Sequence, residues 1–435
     1  MRLLYTFLMY LAMPVIVYRL VARGFRYHGY FARWRERFGF LPGPPLSGSI
    51  WVHAVSVGEV NAAAPLIEAL LKYHADARMV VTTVTPTGSE RVRKLFGDRV
   101  YHVYLPYDLP RAVRRFLDHV RPRLAVVMET EIWPNLYHAC CVRGLPLVIA
   151  NARLSQRSLR RYAPVRGLVR RALACVSQVA AQSHADAARF RALGAPADRI
   201  TVVGNLKFDM AVPATACRDG AGLRAAWGAS RPVWIAASTH EGEETAVLEA
   251  HLEVLKRLPD ALLLLAPRHP ERFRAVDAAA RNLGFRVATR SADRAPAADT
   301  QCFVIDAMGV LLRYYAAADV AFVAGSLAPI GGHNVLEGAA LGRPVVVGPH
   351  TFNFDEITHS LIQAGGALRV PDAAHLGGAV LELLRDPARA AAMGAAARAV
   401  FERERGAVAR NMALIQRLLA GAAPVPRGAD TKKAG

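Results

Sequence analysis

Three glutamates stand where apolar runs end, and this placement suits proton-transfer chemistry. Glu59 closes the segment His-Ala-Val-Ser-Val-Gly-Glu, with Ser56 as a further candidate, and Glu129 and Glu131 follow the apolar run Leu124–Met128. If these runs are parallel strands, the residues after them face a ligand crevice. A carboxylate there is a candidate general base. The alternative for each is a helix N-terminal carboxylate that only complements the helix dipole.

A glycine-rich segment follows the apolar run Val320–Val323 and opens a predicted helix. Glycines allow close approach of a ligand to the backbone, and a helix start directs free N–H groups at a phosphate. Glu337 falls on the first turn, where it can accept hydrogen bonds from ribose hydroxyls. An ordinary helix start is the alternative, and the spacing matches neither a dinucleotide-binding nor a P-loop motif. The candidate residues are Gly331, Gly332, His333, Asn334, Val335, Leu336 and Glu337.

Further polar loops follow other apolar runs. Arg268 and His269 lie in Ala266–Arg272, and Gly309 and Val310 end the stretch Asp306–Val310. A solvated loop is the alternative for each of them taken singly. In the N-terminal half, Asn151–Ser155 and Gly204–Asp209 take equivalent positions. Lys207, in the second of these, can neutralise an anionic group.

Composition limits the class of protein. The chain has 435 residues, which predicts two domains, and 53% of them are hydrophobic, which argues against disorder. Its net charge of +20 attracts polyanions such as nucleic acid, anionic membrane or phosphorylated substrates. Five cysteines without a C-x-x-C pair fit neither a zinc site nor a disulfide framework, and indicate a reducing compartment. No D-x-D motif occurs, which argues against a metal-clamped nucleotide diphosphate.

The elements that position these residues alternate between short apolar strands and helices. This alternation predicts parallel sheets covered on both faces, in two doubly wound Rossmann-like α/β halves around a cleft. A stretch rich in Ala and Gly without strand-like runs marks the linker, with a helix beginning near Leu223. The predicted divisions are a membrane helix at 1–22, a first domain at 23–208, a linker at 209–230, a second domain at 231–420 and a disordered tail at 421–435.

The N-terminus has the composition of a membrane helix. Leu3–Tyr18 contains no charged residue and would extend roughly 24 Å as a helix. Six arginines follow within residues 19–37, which places this flank and the rest of the chain in the cytoplasm. The pattern favours a signal-anchor or a helix lying in the membrane surface. A buried core helix is the alternative.

The motifs together resemble the family of 3-deoxy-D-manno-octulosonic acid (Kdo) transferases of lipopolysaccharide synthesis, glycosyltransferase family 30. The likeness extends from the N-terminal helix to roughly residue 420. One difference is visible, since Val335 stands where the family's Gly-Gly-His-Asn-Pro-Leu-Glu has proline, and valine is also compatible with a first helical turn. The segments that carry the resemblance are His53–Glu59, Glu129–Asn135, Asn151–Ser155, Gly204–Asp209, Pro267–Phe273 and Gly331–Glu337.

The resemblance implies a GT-B fold on the cytoplasmic side of the bacterial inner membrane, with one N-terminal anchor. It implies inverting transfer of Kdo from CMP-Kdo to lipid IVA, the lipid A precursor, without a cofactor, metal or nucleic acid. The first domain would bind the acceptor, with Glu59 as general base and with Glu129 and Lys207 assisting the transition state. The residues implied to contact CMP are Arg268, His269, Gly309, Val310, Leu311, Asn334, Val335, Leu336 and Glu337.

Two other functions remain compatible with the motifs. One is a GT-B enzyme that uses a UDP-sugar or CMP-sialate, which nucleotide competition would separate from a CMP-Kdo enzyme. The other is a membrane-bound polyanion-binding protein with a vestigial site, which would keep its function after the change Glu59→Ala.

Overall fold

The computed structural model describes residues 1–292 and 296–421, which form two compact units. The first unit combines Met1–Met210 with residues 405–421, and the second is Ala211–Glu404. Each unit has its own parallel sheet covered by helices. The predicted tail 421–435 lies outside the described residues except for Gly421, which ends a helix.

The first unit is built on a parallel sheet because its inner strands are mostly apolar and are buried along most of their length. All five residues of the first strand are buried, so both faces of the sheet must be covered. In the described part of this unit the order is β3-β2-β1-β4-β5-β6-β7. The strands are β1 Ser49–His53, β2 Met79–Thr83, β3 Tyr101–Tyr104, β4 Pro122–Met128, β5 Leu147–Ala152, β6 Gln178–Ala181 and β7 Ile200–Val202.

Local signals set the starts of several helices in this unit. Thr85 and Ser183 cap two of them by accepting hydrogen bonds from backbone N–H groups, and proline occupies the first turn of three. The helices are α1 Arg2–Arg26, α2 Val57–Tyr73, α3 Pro86–Phe96, α4 Pro110–Val120, α5 Pro134–Val142, α6 Gln156–Tyr162, α7 Arg166–Leu173, α8 His184–Leu193 and, from the end of the chain, α17 Ala407–Gly421.

The second unit repeats this architecture. The order among its described residues is β10-β11-β9-β8-β12-β13-β14, all parallel. The strands are β8 Val233–Thr239, β9 Leu262–Pro267, β10 Val287–Thr289, β11 Cys302–Val304, β12 Val320–Val323, β13 Val345–Val347 and β14 Ala367–Arg369. The helices are α9 Ala214–Trp227, α10 Glu243–Leu255, α11 Phe273–Asn282, α12 Leu311–Ala317, α13 Leu336–Ala340, α14 Asp355–Gln363, α15 Leu376–Arg385 and α16 Pro387–Glu404.

Two strands were not predicted from the sequence. β3 and β14 lie at sheet edges and are only partly buried, so neither has the continuous apolar run that marks the inner strands. Strand ends also differ from the predictions by one or two residues. β4 begins at Pro122 rather than Leu124, because neighbouring backbone pairing extends a strand beyond its apolar residues.

The connection between the units is more ordered than the sequence indicated. α9 begins at Ala214, nine residues before the predicted helix start at Leu223, so most of the predicted linker 209–230 is helical. The packing of α9 on α12 explains this, because Gly220 lies against Ala316 and Arg313. The helix is stabilised by tertiary contact that its Ala- and Gly-rich sequence does not reveal.

The last helix belongs to the first unit, whereas the sequence assigned residues up to 420 to the second domain. Ala407, Met412 and Ile415 of α17 are buried in the same apolar cluster as Leu66 and Leu70 of α2. Asp209 also accepts hydrogen bonds at the start of α17, from the N–H groups of Val408 and of Gly406, which directly precedes the helix. The last helix therefore packs in the first unit, although it follows the second unit along the chain.

The N-terminal helix is longer than the predicted 1–22 and is mostly exposed. α1 runs through Arg19 and Arg23 to Arg26, since arginine is a good helix former. It is the described helix that is long and apolar enough to cross a membrane. Large apolar side chains are exposed along it at intervals of three or four residues, at Leu3, Phe7, Leu11, Val15 and Tyr18.

Candidate functional site

Glu59 lies on the first turn of α2, directly beyond the carboxyl end of β1. Its carboxylate accepts a hydrogen bond from the Val55 N–H at 2.8 Å, and the Ser56 hydroxyl lies 3.5 Å away. Burial raises the pKa of Glu59 to about 8, and the nearby Glu129 and Glu131 carboxylates add to the rise. This position combines access from the sheet edge with the proton affinity that a general base requires.

Glu129 and Glu131 lie at the same carboxyl end of the sheet as Glu59, because β4 lies beside β1. Glu129 has a left-handed backbone with φ of 58°, and its N–H donates to the Ala150 carbonyl at 2.9 Å. A non-glycine residue in this conformation stores strain, which is a feature of functional sites. Burial raises the pKa of Glu131, and Glu129 contributes to the rise. The structure thus brings together the three carboxylates that the sequence singled out.

Lys207 lies in a short 3-10 turn, Leu206–Asp209, that packs against α2. Asn151, at the end of β5, fixes this turn because its side-chain oxygen accepts the Leu206 N–H at 3.0 Å. The Lys207 N–H in turn donates to the Asn205 side chain at 3.0 Å. The predicted cation is therefore held next to the helix that carries Glu59, in the same unit.

In the second unit, Arg268 lies near enough to the end of the glycine-rich segment to act electrostatically on Glu337. Burial raises the pKa of Glu337 to about 6, while the Asn334 amide at 3.3 Å and the Arg268 guanidinium oppose the rise. The Leu336 N–H donates to the Asn334 side-chain oxygen at 3.2 Å. The predicted residues Arg268, Asn334 and Glu337 therefore form one cluster beyond β9 and β12.

The glycine-rich loop is held by a carboxylate that the sequence reading did not identify. Glu243 is buried, and it accepts hydrogen bonds from the N–H groups of Gly325, Leu327 and Ala328 at 2.8, 2.9 and 3.2 Å. The helix that follows, α13, has only five residues, so its dipole is weak and the predicted helix-start contribution is correspondingly small. Glu243 therefore fixes the backbone of the loop at three N–H groups.

The turn before α12 is the fourth predicted element. Gly309 has φ of 81° and is exposed, with no neighbour near the position of a side chain. Val310 precedes α12, which begins at Leu311. Tyr315 of α12 lies close to Gly338 of α13, so the two short helices are neighbours. The turn and the Glu337 cluster thus belong to elements that pack together.

Two residues important for this site had no recognised motif. Glu243 and His240 follow β8 in the stretch Ser-Thr-His-Glu-Gly-Glu-Glu, at the carboxyl end of a strand like the segments chosen from the sequence. Ser238 there has a left-handed backbone with φ of 62°. The placement after an apolar strand was an available signal. Among the described residues, no cluster of three or more His, Cys, Asp or Glu side chains has an arrangement that could hold a metal ion.

Gly348 lets the loop pack tightly against β13, and its replacement tests that packing. A methyl group at Gly348 would lie 2.4 Å from the Ser326 carbonyl oxygen, so Gly348→Ala is expected to lower the free energy of unfolding by about 1–3 kcal/mol. The matched control is Gly222→Ala on α9, where a methyl group meets open space and alanine favours the helix. Urea unfolding should show a lower midpoint for the first variant only. Equal midpoints for both variants would contradict the packing described.

Comparison with solved structures identifies the class of fold. A UDP-GlcNAc 2-epimerase from Neisseria meningitidis bound to UDP-GlcNAc is 13% identical and matches with a TM-score of 0.56, covering 85% of this chain and 100% of the other. A putative UDP-N-acetylglucosamine 2-epimerase from Listeria monocytogenes is 17% identical, with a TM-score of 0.54 and coverage of 86% and 98%. The two parallel α/β units thus have the GT-B fold that the sequence predicted.

Sequence comparison then identifies the family. Residues 32–210 match the family model 3-Deoxy-D-manno-octulosonic-acid transferase (kdotransferase). The 3-deoxy-D-manno-octulosonic acid transferase of Haemophilus influenzae is 42% identical, over 95% of this chain and 98% of that protein. The corresponding transferase of Bordetella pertussis is 42% identical over 86% and 89%. The chain therefore belongs to the Kdo transferases, glycosyltransferases of lipopolysaccharide synthesis, as the resemblance of its motifs indicated.

Proposed function

We propose that this protein transfers Kdo from CMP-Kdo to lipid IVA with inversion at the anomeric carbon, and that Glu59 is the general base. The observation that carries the proposal is the half-buried Glu59 carboxylate at the carboxyl end of β1, whose pKa is raised to about 8 beside Glu129 and Glu131. A base of this strength removes the proton of a sugar hydroxyl as that oxygen attacks the donor. The attack forms the new bond to the anomeric carbon while the bond to the CMP phosphate breaks.

The second unit supplies the donor site in this proposal. Arg268 and His269 would face the phosphate, the turn Gly309–Leu311 would border the nucleotide, and the segment Asn334–Glu337 would bind the cytidine and its ribose. Glu337 suits the ribose because a buried carboxylate accepts hydroxyl hydrogen bonds. CMP has a single phosphate, so N–H groups and basic side chains can stabilise its departure without a metal ion.

Glu129 and Lys207 are proposed to act on the transition state. Positive charge develops on the sugar as CMP departs, and a carboxylate such as Glu129 stabilises it. The donor sugar also carries its own carboxylate, which needs a cation nearby, and Lys207 can provide that charge.

The acceptor explains the charge of the chain and its apolar N-terminus. Lipid IVA is a phosphorylated glycolipid in an anionic membrane, to which a protein with net charge +20 is attracted. We propose that α1 attaches the protein to the cytoplasmic face of the inner membrane. This accounts for the strongly basic composition without nucleic acid.

The contacts of α1 favour a helix that lies in the membrane surface rather than one that spans the bilayer. At its start, the Tyr5 hydroxyl donates to Asp108 and the Thr6 hydroxyl to Asn135, both at 3.0 Å. Just beyond its other end, the Tyr27 hydroxyl donates to Glu90 at 2.5 Å. A helix of 25 residues is about 37 Å long, so a spanning helix could not keep both sets of contacts with one unit. The exposed stripe from Leu3 to Tyr18 would then enter the lipid.

Thiol labelling tests this orientation. A membrane-impermeant maleimide applied to intact spheroplasts should leave Arg2→Cys unmodified, because the start of α1 would remain on the cytoplasmic side. The background carries Cys141→Ser and Cys217→Ser, which removes the exposed native thiols. Permeabilised spheroplasts, in which the variant should react, provide the control. Labelling of intact spheroplasts would show that α1 crosses the membrane.

Nucleotide competition tests the identity of the donor. CMP is expected to raise the thermal unfolding midpoint of the purified full chain, because ligands that bind the folded state stabilise it. UDP serves as the comparison. Protection by UDP without protection by CMP would reject CMP-Kdo as donor and favour an enzyme of UDP-sugars.

A further inference from the structure

Two histidines of the second unit form a hydrogen-bonded pair beside the glycine-rich loop. His240 Nε2 lies 2.7 Å from His333 Nε2, and the two rings are nearly parallel, with an interplanar angle of 5°. The His269 ring meets the His240 ring edge-on, with 5.2 Å between centroids. Such a contact between polar rings at a sheet edge calls for a chemical explanation.

The surrounding backbone is arranged to hold this pair. The His240 N–H donates to the Glu243 carboxylate at 3.2 Å, the same carboxylate that binds Gly325. The His333 N–H donates to the Ala324 carbonyl at 3.2 Å. A Cβ atom at position 325 would lie 2.8 Å from the His333 ring, so glycine there leaves room for the ring. Both rings are therefore fixed by one loop, and the loop leaves room for them.

Their geometry determines how many protons the pair carries. A hydrogen bond between two Nε2 atoms needs one N–H and one bare nitrogen, so a single proton lies between the rings. Burial, with a smaller contribution from Arg268 and His269, lowers the pKa of His240 and lowers that of His333 to about 4, while Glu243 opposes the change at His240. Both rings are consequently neutral near pH 7.

The remaining ring nitrogens are available to a ligand. In the described part of the chain, neither Nδ1 of the pair has a protein hydrogen-bond partner. The neutral ring that accepts at Nε2 must carry its single N–H proton on Nδ1, so the pair always offers one N–H donor. The ring that donates at Nε2 keeps a bare Nδ1, so the tautomer of each ring fixes the tautomer of the other.

We propose that this pair is a further part of the donor site, in which His333 donates a neutral N–H hydrogen bond to an anionic oxygen of the sugar nucleotide. His240 is a positioning residue that fixes the tautomer of His333. The inference deepens the proposed function and rests on it. The oxygen belongs either to the phosphate or to the sugar carboxylate. No proton is transferred, and the hydrogen bond strengthens as the leaving phosphate gains charge.

Calorimetric titration and kinetics of the full chain test the role of His333. The titration uses whichever of CMP and UDP protects the wild type against thermal unfolding. The role of the histidine pair is therefore tested separately from the identity of the donor. His333→Ala should bind that nucleotide at least tenfold more weakly if the phosphate is the partner. If the carboxylate is the partner, nucleotide affinity should stay unchanged while kcat/KM for the complete donor falls at least tenfold. Values within twofold of wild type in both measurements would overturn the proposal.

Separate variants test His240 and guard against misfolding. His240→Phe keeps ring stacking but loses the hydrogen bond, so it should reproduce the defect of His333→Ala. His240→Gln retains an N–H donor and should restore at least part of the lost activity, and ring ¹⁵N shifts of His333 should report its tautomer in each variant. His375→Ala, at an exposed histidine paired with Asp372, is the control and should match wild type. Full activity of His240→Phe, or equal activity of the two His240 variants, would show that His240 does not act through this hydrogen bond.

Discussion

Replacement of Glu59 by glutamine is expected to lower kcat by about 10²–10⁴-fold and to leave nucleotide affinity close to that of wild type. Glutamine preserves the size of the side chain and can still accept the Val55 N–H, but it cannot take a proton from the acceptor. The proposed donor residues lie in the other unit, so binding of CMP should persist. Glu68→Gln is the matched control, because Glu68 lies on the same helix in an exposed ion pair with Arg99.

The pH dependence of the wild type gives a second measure of the same group. Burial raises the pKa of Glu59 to about 8, so the base is protonated and inactive below that value and active above it. The logarithm of kcat/KM should therefore rise with pH and level off near pH 8. A flat profile between pH 6 and 9, or the same rise in Glu59→Gln, would exclude Glu59 as the base.

Replacement of Glu243 by glutamine is expected to produce the largest effect on the donor side. Four backbone N–H groups, of His240, Gly325, Leu327 and Ala328, donate to the two carboxylate oxygens. In glutamine one of those oxygens becomes an NH₂ group that faces donors. We expect the free energy of unfolding to fall by about 2–5 kcal/mol and nucleotide affinity to fall at least tenfold.

Glu241→Gln is the control for this prediction. Glu241 lies two residues away on the same turn and forms an exposed ion pair with Arg272 at 3.1 Å, which contributes about 0–1 kcal/mol. Urea unfolding and calorimetric titration should place this variant close to wild type. If Glu243→Gln bound the nucleotide as tightly as wild type, the loop would not depend on its buried carboxylate.

The sequence predicted the features that depend on local pattern. Inner strands such as β1 and β12 are continuous apolar runs, so both their position and the parallel sheets followed from composition and period. Glu59 and Glu129 could be placed at one edge because β1 and β4 each end just before them. That edge could be inferred without knowing the strand order, since all strands of a parallel sheet end on the same side.

Features that depend on contacts between distant segments were not accessible in this way. α17 belongs to the first unit because it packs on the apolar face of α2 and because Asp209 accepts hydrogen bonds at its start. Nothing in the sequence of residues 407–421 specifies these contacts. In the sequence, Glu243 is an ordinary acidic residue at a helix start, and only the fold reveals its hydrogen bonds to the loop around Gly325. The pairing of His240 with His333 joins residues 93 positions apart and likewise required the fold.

Mass spectrometry of the reaction products tests the central claim most directly. Full-length protein is incubated with CMP-Kdo and lipid IVA in the presence of a chelator, and the lipid and nucleotide fractions are analysed together. We predict that lipid IVA gains the mass of one or more Kdo residues, that an equal number of CMP molecules is released, and that Glu59→Gln gives neither product at a comparable rate. Unmodified lipid with intact CMP-Kdo, or sugar transfer that occurs only from a UDP-sugar, would contradict the account.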